Sequence, residues 1–453
     1  MKSIGTSLAV FVATVVLFVS GCTDTPPPAP PQDLGNATVT RYVAVGQSFT
    51  AGFQSNGLYE SAQLYSFPNL IAQQLRAAGA NIGTFEQPLW SDPGTPAPGG
   101  LASRYEILNL TGPVIGPRGL PAGHPTTLLW PAPYNNLGIP RSFVYDFLNA
   151  VDSNSCFSAV FAATPNPLFN STLRGIGSQF AQTRALNPDL VTFWHGIDDV
   201  LGFATSGGTK PTAPTPLGLF TNLYGQALDS LRTALPNAKI VVANIPDVTV
   251  LPFFTTLGPE IGALLPPGVF MRYQTHGNTG PAFDSTRFTE ATPPLITLTG
   301  VAYVPLIGDT TGRWYTDNHY PAIPAGINTH MPFGLHPLNP WPDALVLDPA
   351  EQSDARAAVA NFNSVIATAA AAHHAAIVDI NSFVNRLVRG YVVAGQGYST
   401  SFIAGAFFSL DGVHACSRGQ ALIANEFIKV MNASFGMHLS PIDASTAPGI
   451  SPP

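Results

Sequence analysis

Short, largely apolar runs alternate along this chain with longer segments whose apolar residues recur every three or four positions. Tyr42-Val43-Ala44-Val45, Leu190-Val191-Thr192-Phe193-Trp194, Lys239-Ile240-Val241-Val242-Ala243 and Ala376-Ile377-Val378-Asp379-Ile380 are the apolar runs. They lack polar alternation, so they read as strands covered on both faces, as in a parallel sheet. The first is expected to begin upstream, near Ala37. Helical spacing marks residues 66 to 78 (Leu70, Ile71, Leu75) and Leu217 to Leu235 (Leu219, Leu223, Ala227, Leu231). Val144 to Val151 and Ile176 to Ala185 read as shorter helices. Asp348-Pro349-Ala350-Glu351 combines a capping residue with proline in the first turn and opens a helix to about Ala371. Arg418 to Asn432 closes the pattern. Helix followed by strand, repeated, predicts a parallel sheet with crossover helices.

Two stretches break this rhythm. Residues 83 to 133 are rich in Pro and Gly with weak periodicity, which predicts excursions over the surface. Residues 252 to 348 are rich in Pro, Gly and aromatics, with strand-like pieces at Leu295–Leu298 and Val301–Tyr303. A structureless loop that long is uncommon, so this stretch is expected to be an inserted subdomain or lid near the active edge. Its Phe and Trp residues would form a core of their own, or in part an acyl-binding wall.

Composition narrows the class. Only 10% of the 453 residues are charged and the formal net charge is −7, with no dense Lys/Arg cluster. Nucleic acid is excluded as an expected partner on that ground. Lys2, the uncharged apolar run Ile4 to Val19, and Val19-Ser20-Gly21-Cys22 resemble a bacterial lipoprotein signal. The resemblance implies a signal peptide over 1–21, lipid on Cys22 and membrane attachment through it; Thr23 after the cysteine points to the outer membrane. A Pro-rich linker over 22–38 would then hold a domain over 39–437, with the insertion at about 252–347 and a tail over 438–453. Cys156 and Cys416 would lie in a compartment that permits a disulfide, and their spacing leaves the bridge open.

The chemistry collects where strands end. Gly46-Gln47-Ser48 follows the first strand, His195-Gly196-Ile197-Asp198-Asp199 the second, and a loop near Pro140 adds a further strand-end turn. Near the carboxyl terminus, Asp411-Gly412-Val413-His414 supplies an acid and a base three residues apart. A serine hydroxyl becomes a useful nucleophile when a histidine takes its proton and a carboxylate orients that histidine. Asp199 reads as a structural carboxylate bonding backbone, and His195 as a packed neighbour. His319, His330 and His336 lack tight metal-ligand spacing, so no metal is expected. His373 and His374 sit where a helix ends, which suits partial positive charge.

Gly46-Gln47-Ser48-Phe49-Thr50-Ala51-Gly52 is similar to the first block of the GDSL lipases and esterases, also called SGNH hydrolases, with Gln47 where that family carries Asp. Asp411-Gly412-Val413-His414 resembles the last block, Gly196-Ile197-Asp198-Asp199 the Gly-x-Asn-Asp block, and Asn136-Leu137-Gly138-Ile139-Pro140-Arg141 the second block. The resemblance implies a flavodoxin-like three-layer α/β/α sandwich with a parallel sheet, plus the large insertion. It implies Ser48 as nucleophile, His414 as base and Asp411 as acid, with Ser48, Arg141 and Asp198 at the oxyanion hole and no cofactor. Two further positions depart from the family: Arg141 stands where the family has Gly and Asp198 where it has Asn. An ionised carboxylate accepts hydrogen bonds and donates none. The expectation is a monomeric, envelope-anchored serine esterase or lipase acting on carboxylic esters, lipid or acylated sugar. Deacetylation of polysaccharide stays within that chemistry. The alternative from another class is a weak or inactive hydrolase fold binding lipid or glycan at the cell surface.

Overall fold

The structure, a computed structural model, describes residues 32–450 apart from 110–113, 118, 211, 276–277 and 284–291. The signal segment, Cys22 and the linker up to residue 31 lie outside the described residues.

Five strands, β1 (Tyr42–Gly46), β2 (Asn136–Gly138), β3 (Leu190–Trp194), β4 (Lys239–Ala243) and β5 (Ala376–Val378), pair in parallel in the order β2-β1-β3-β4-β5. This is the doubly wound flavodoxin-like order, in which ligands sit outside the carboxyl ends of the strands where the winding reverses. The helices that matter are α1 (Phe67–Ala77), α2 (Val144–Asn149), α3 (Gln179–Leu186), α4 (Asp198–Thr205), α5 (Leu217–Ala234), α6 (Pro349–Ala372), α7 (Ile380–Val388) and α8 (Ser417–Phe435). α1 and α7 pack with α8 on one face, while α2, α3, α5 and α6 pack together on the other. The result is a three-layer α/β/α sandwich with added elements.

Burial explains the apolar runs. Every residue of β1 and β3 is buried, because helices cover both faces of these central strands. The polar atoms among them are paired: the Tyr42 hydroxyl and Thr192 Oγ1 share a hydrogen bond of 2.9 Å. At the amino ends, the Asp189 carboxylate accepts from Thr40 N, Thr40 Oγ1 and Arg41 N, which pins β1 beside β3. At the carboxyl ends, Gln179 Nε2 of α3 donates to Gly46 O at 2.9 Å and Leu137 O at 2.6 Å. That side chain satisfies two strand-end carbonyls just where β1 and β2 release their loops.

Several boundaries differ from the sequence pattern. β1 begins at Tyr42, not Ala37, after the Asp189 clamp has set its direction. β5 stops at Val378 because Asp379 turns to cap α7, its Oδ1 accepting from Ser382 N at 2.9 Å. α3 starts at Gln179 behind a Ser178 cap, two residues after Gly177 with φ of 110°. Val301–Tyr303 lies in a 3₁₀ helix over Leu298–Leu306 instead of a strand. Within the Pro- and Gly-rich excursion, Tyr105–Asn109 and Val114–Pro117 form an antiparallel ribbon that periodicity did not reveal.

The insertion has its own core, built on Trp341, Tyr273, Met271, Ile296, Ile261 and Trp314. It meets the main domain at the Asp-x-x-His loop, where Phe253 N donates to Gly412 O at 2.9 Å. Gly412 has φ of +70°, and a Cβ there would come within 2.7 Å of Leu298 Cδ1. Cys156 and Cys416 are separate, buried free thiols, so no bridge links them.

Candidate active site

Ser48 opens a one-turn helix, Ser48–Ala51, directly after β1. Gly46 makes that turn possible, since a Cβ there would lie 2.2 Å from Thr50 Oγ1 and 2.6 Å from Trp194 O. Gln47 caps the turn, its Oε1 accepting from Phe49 N at 3.0 Å, a bond the shorter Asp would also make. Asn136 of β2 locks the turn from the side, donating Nδ2 to Thr50 O at 2.8 Å. Ser48 is thus almost wholly buried and fixed, at 2% exposure.

The Ser48 hydroxyl oxygen accepts from the backbone N–H of Arg141 at 3.3 Å. Arg141 has φ of +62°, the left-handed conformation that a glycine adopts without strain. The departure in residue type therefore leaves the backbone donor in place. Asp146 and Asp199 hold this loop from behind. Asp146 accepts from Phe143 N at 2.8 Å, and Asp199 from Val144 N at 3.0 Å and Thr215 Oγ1 at 2.7 Å. Burial pushes Asp146 up to about 8 and Asp199 up to about 7, against those hydrogen bonds.

Asp411 and His414 form the second half of the site. Asp411 Oδ2 pairs with His414 Nδ1 at 2.9 Å. The remaining contacts of that carboxylate come from Ser409 Oγ, Val413 N, His414 N and Asn56 N at 2.8 to 3.1 Å. Burial acts to raise the Asp411 pKa, but the His414 charge and these donors hold it below the usual carboxylate range. His414 is flanked by the rings of Phe53 at 4.8 Å and Phe49 at 5.2 Å.

The two halves are stitched by the segment after the Ser48 turn. Ser55 N donates to Ser409 Oγ at 2.8 Å, and Ser55 and Asn56 both adopt positive φ to present their N–H groups. Sequence reading passed over Ser55 and Asn56; two small polar residues ahead of Gly57 were the available signal. No hydrogen bond joins Ser48 Oγ to His414 among the described residues. The pairs Ser48–Arg141 and Asp411–His414 are each formed and the link between them is open.

Asp198 begins α4 and lies close enough to feel the charges of His414, Arg141 and Lys210. Its Oδ2 is buried without a hydrogen-bond partner. Burial lifts its carboxyl to about 6, offset in part by those three groups. His195 is wholly buried against Phe193 and pushed down to about 3 by that burial. Among the described residues no three His, Cys, Asp or Glu side chains converge as a group able to hold a metal.

No protein-family model matches the chain, and no curated protein matches it. Solved structures do. A GDSL-like lipase structure from Parabacteroides merdae is 13% identical, with 90% of this chain and 99% of that one covered at a TM-score of 0.35. An extracellular lipase from Streptomyces rimosus is 15% identical, covering 88% and 100% at 0.33. An α/β-hydrolase enzyme from the metagenome of Lake Arreo, Spain, is 11% identical, covering 89% and 98% at 0.36.

Proposed function

We propose that this protein is a serine hydrolase of carboxylic esters, tethered to the bacterial envelope through lipid on Cys22. Ser48 is the nucleophile, His414 the general base and Asp411 the group that orients it. The observation that carries the reading is the convergence on one sheet edge of two prepared pairs, Ser48 against the Arg141 N–H and His414 against Asp411.

The chemistry follows from which atoms are engaged. Asp411 occupies Nδ1 of His414, so Nε2 is the nitrogen left to take a proton. Ester binding displaces Ser48 Oγ from its contact with Arg141 and turns it toward Nε2. Attack on the ester carbon then passes the serine proton to Nε2, and the imidazolium is stabilised by Asp411. The Arg141 and Ser48 N–H groups face the oxyanion, and Asp198 adds a third donor when protonated. The same imidazolium protonates the leaving alkoxide, and water repeats the sequence on the acyl-enzyme. A lipid- or glycan-binding role without turnover is the second reading, favoured by the open Ser48–His414 link and by a carboxyl at the third donor position.

Hydrolysis of short- and long-chain nitrophenyl esters decides between them. Ser48-dependent turnover supports the hydrolase, and its absence from well-folded protein supports the binding role. Ser48→Ala is expected to lower kcat by at least about 10³-fold. Processing and lipid on Cys22 are checked by mass spectrometry of the mature amino terminus, with Cys22→Ala expected to leave the precursor intact.

A further inference from the structure

Two cations, Arg141 and Lys210, lie within electrostatic reach of each other and of Asp198. Arg141 places its backbone N–H on the nucleophile, so its exposed side chain starts at the reacting atoms. A non-glycine residue at φ of +62° costs about 1 kcal/mol relative to glycine, and the backbone donor alone gives no reason for a long cationic side chain there. Lys210 reaches over α4. Its Nζ lies over α4 at Gly202, 3.2 Å from where a Cβ on that glycine would sit. Gly202 is one helical turn beyond Asp198 on the same face, so the bare glycine lets the amine reach toward the site.

Two cations face one carboxyl, and neither is held in an ion pair. Among the described residues no carboxylate lies within ion-pair distance of either, and Asp198, the acid that couples to both, keeps its Oδ2 unpartnered. Lys210 is half-buried, and burial together with the Arg141 charge draws its amine below the usual lysine range. The whole chain bears a net charge of −7, so this local excess of positive charge runs against the background. A half-buried amine held beside a guanidinium is an unfavourable arrangement that a bound anion relieves.

We infer that the substrate carries an anionic group, a carboxylate or phosphate a few bonds from the scissile carbonyl, held between the side chains of Arg141 and Lys210. The inference rests on the ester-hydrolase reading for the position of that carbonyl. Arg141 and Lys210 set specificity, and the attack itself remains with Ser48 and His414.

The test compares 4-nitrophenyl hemisuccinate with neutral 4-nitrophenyl butyrate on the full chain. The anionic ester is expected to show the higher kcat/KM. The anionic-to-neutral ratio should fall about tenfold in Lys210→Met, fall further when Arg141→Gly is added, and recover in Lys210→Arg. A wild-type ratio of one or less, or a ratio untouched by both substitutions, overturns the inference while leaving the esterase intact. Should neither ester be hydrolysed, the esterase reading fails separately, and calorimetry on Ser48→Ala with monobutyl succinate and monobutyl phosphate decides the anion site. Binding weakened about tenfold by Lys210→Met supports it, with the tighter ligand naming the anion; no binding of either overturns it.

Discussion

The Ser409–His414 loop and the Gly196–Asp199 turn each bury an aspartate that feels the charge of His414, and the two carboxyls are driven in opposite directions. Asp411 receives five hydrogen bonds, three from backbone N–H groups, and is held ionised. Asp198 has no donor on Oδ2 and is lifted to about 6 by burial. The residue type is the same and the desolvation is comparable. The difference lies in whether the surrounding backbone points its donors at the carboxylate, which decides whether a buried acid serves as a charge or as a hydrogen-bond donor.

The contrast breaks most visibly at Asp411. Asp411→Asn removes the acceptor that selects the His414 tautomer, and kcat is expected to fall by on the order of 10⁴-fold with little change in the fold, checked by circular dichroism. Asp198→Asn should act in the opposite sense. In the proposed mechanism the native carboxyl would donate to the oxyanion below about 6, where it keeps its proton, and repel it above about 6, where it ionises. The advantage of Asn therefore grows with pH. At pH 7 about a tenth of the wild-type molecules keep that proton, so Asn is expected to raise kcat by up to about tenfold, part of the roughly 10²–10³-fold that one such donor supplies. Parallel kcat profiles for mutant and wild type between pH 5 and 8 would exclude Asp198 from the reaction.

A smaller effect concerns the pair behind the Arg141 loop. Asp146 and Asp199 titrate in the folded protein at about 8 and about 7, well above unfolded aspartate near 4. The folded state therefore binds more protons than the unfolded state across that window. Their contribution is fully present below about pH 4 and is lost as pH rises through 7 to 8. Thermal melts should show a falling Tm over that range, and Asp199→Asn should flatten the slope. A Tm that climbs from pH 5 to 8 contradicts the protonated assignment. Least in size, Arg141→Gly relieves the left-handed strain and should stabilise the fold by about 1 kcal/mol in urea denaturation.

Much of this arrangement was legible in the sequence because it rests on patterns with one physical cause. β1, β3 and β4 read as buried strands since each is largely apolar without polar alternation, and Asp348-Pro349-Ala350-Glu351 read as a helix start that the structure completes as a capping box. The Ser48 turn and the Asp-x-x-His loop were visible through glycine and polar spacing. The contacts that give them character were not. Asn56 and Asp411 are 355 residues apart, and the burial that separates Asp198 from Asp411 depends on helices remote in the chain. The ribbon at Tyr105–Asn109 was hidden for a different reason: with one face exposed and short strands, it has too few alternating positions to register. Lys210 drew no notice either, since a lone lysine in a Gly- and Pro-rich loop looks like solvated surface until Gly202 is seen beneath it.

The most direct test of the account is active-site labelling with a nitrophenyl phosphonate. The expected result is one phosphonyl group per chain, on the peptide containing Ser48, with release of one nitrophenolate. Labelling should be abolished in Ser48→Ala, slowed strongly in Asp411→Asn and quickened in Asp198→Asn at pH 7. Stoichiometric labelling at another residue, or none in folded wild-type protein, would contradict the assignment of Ser48 as the nucleophile.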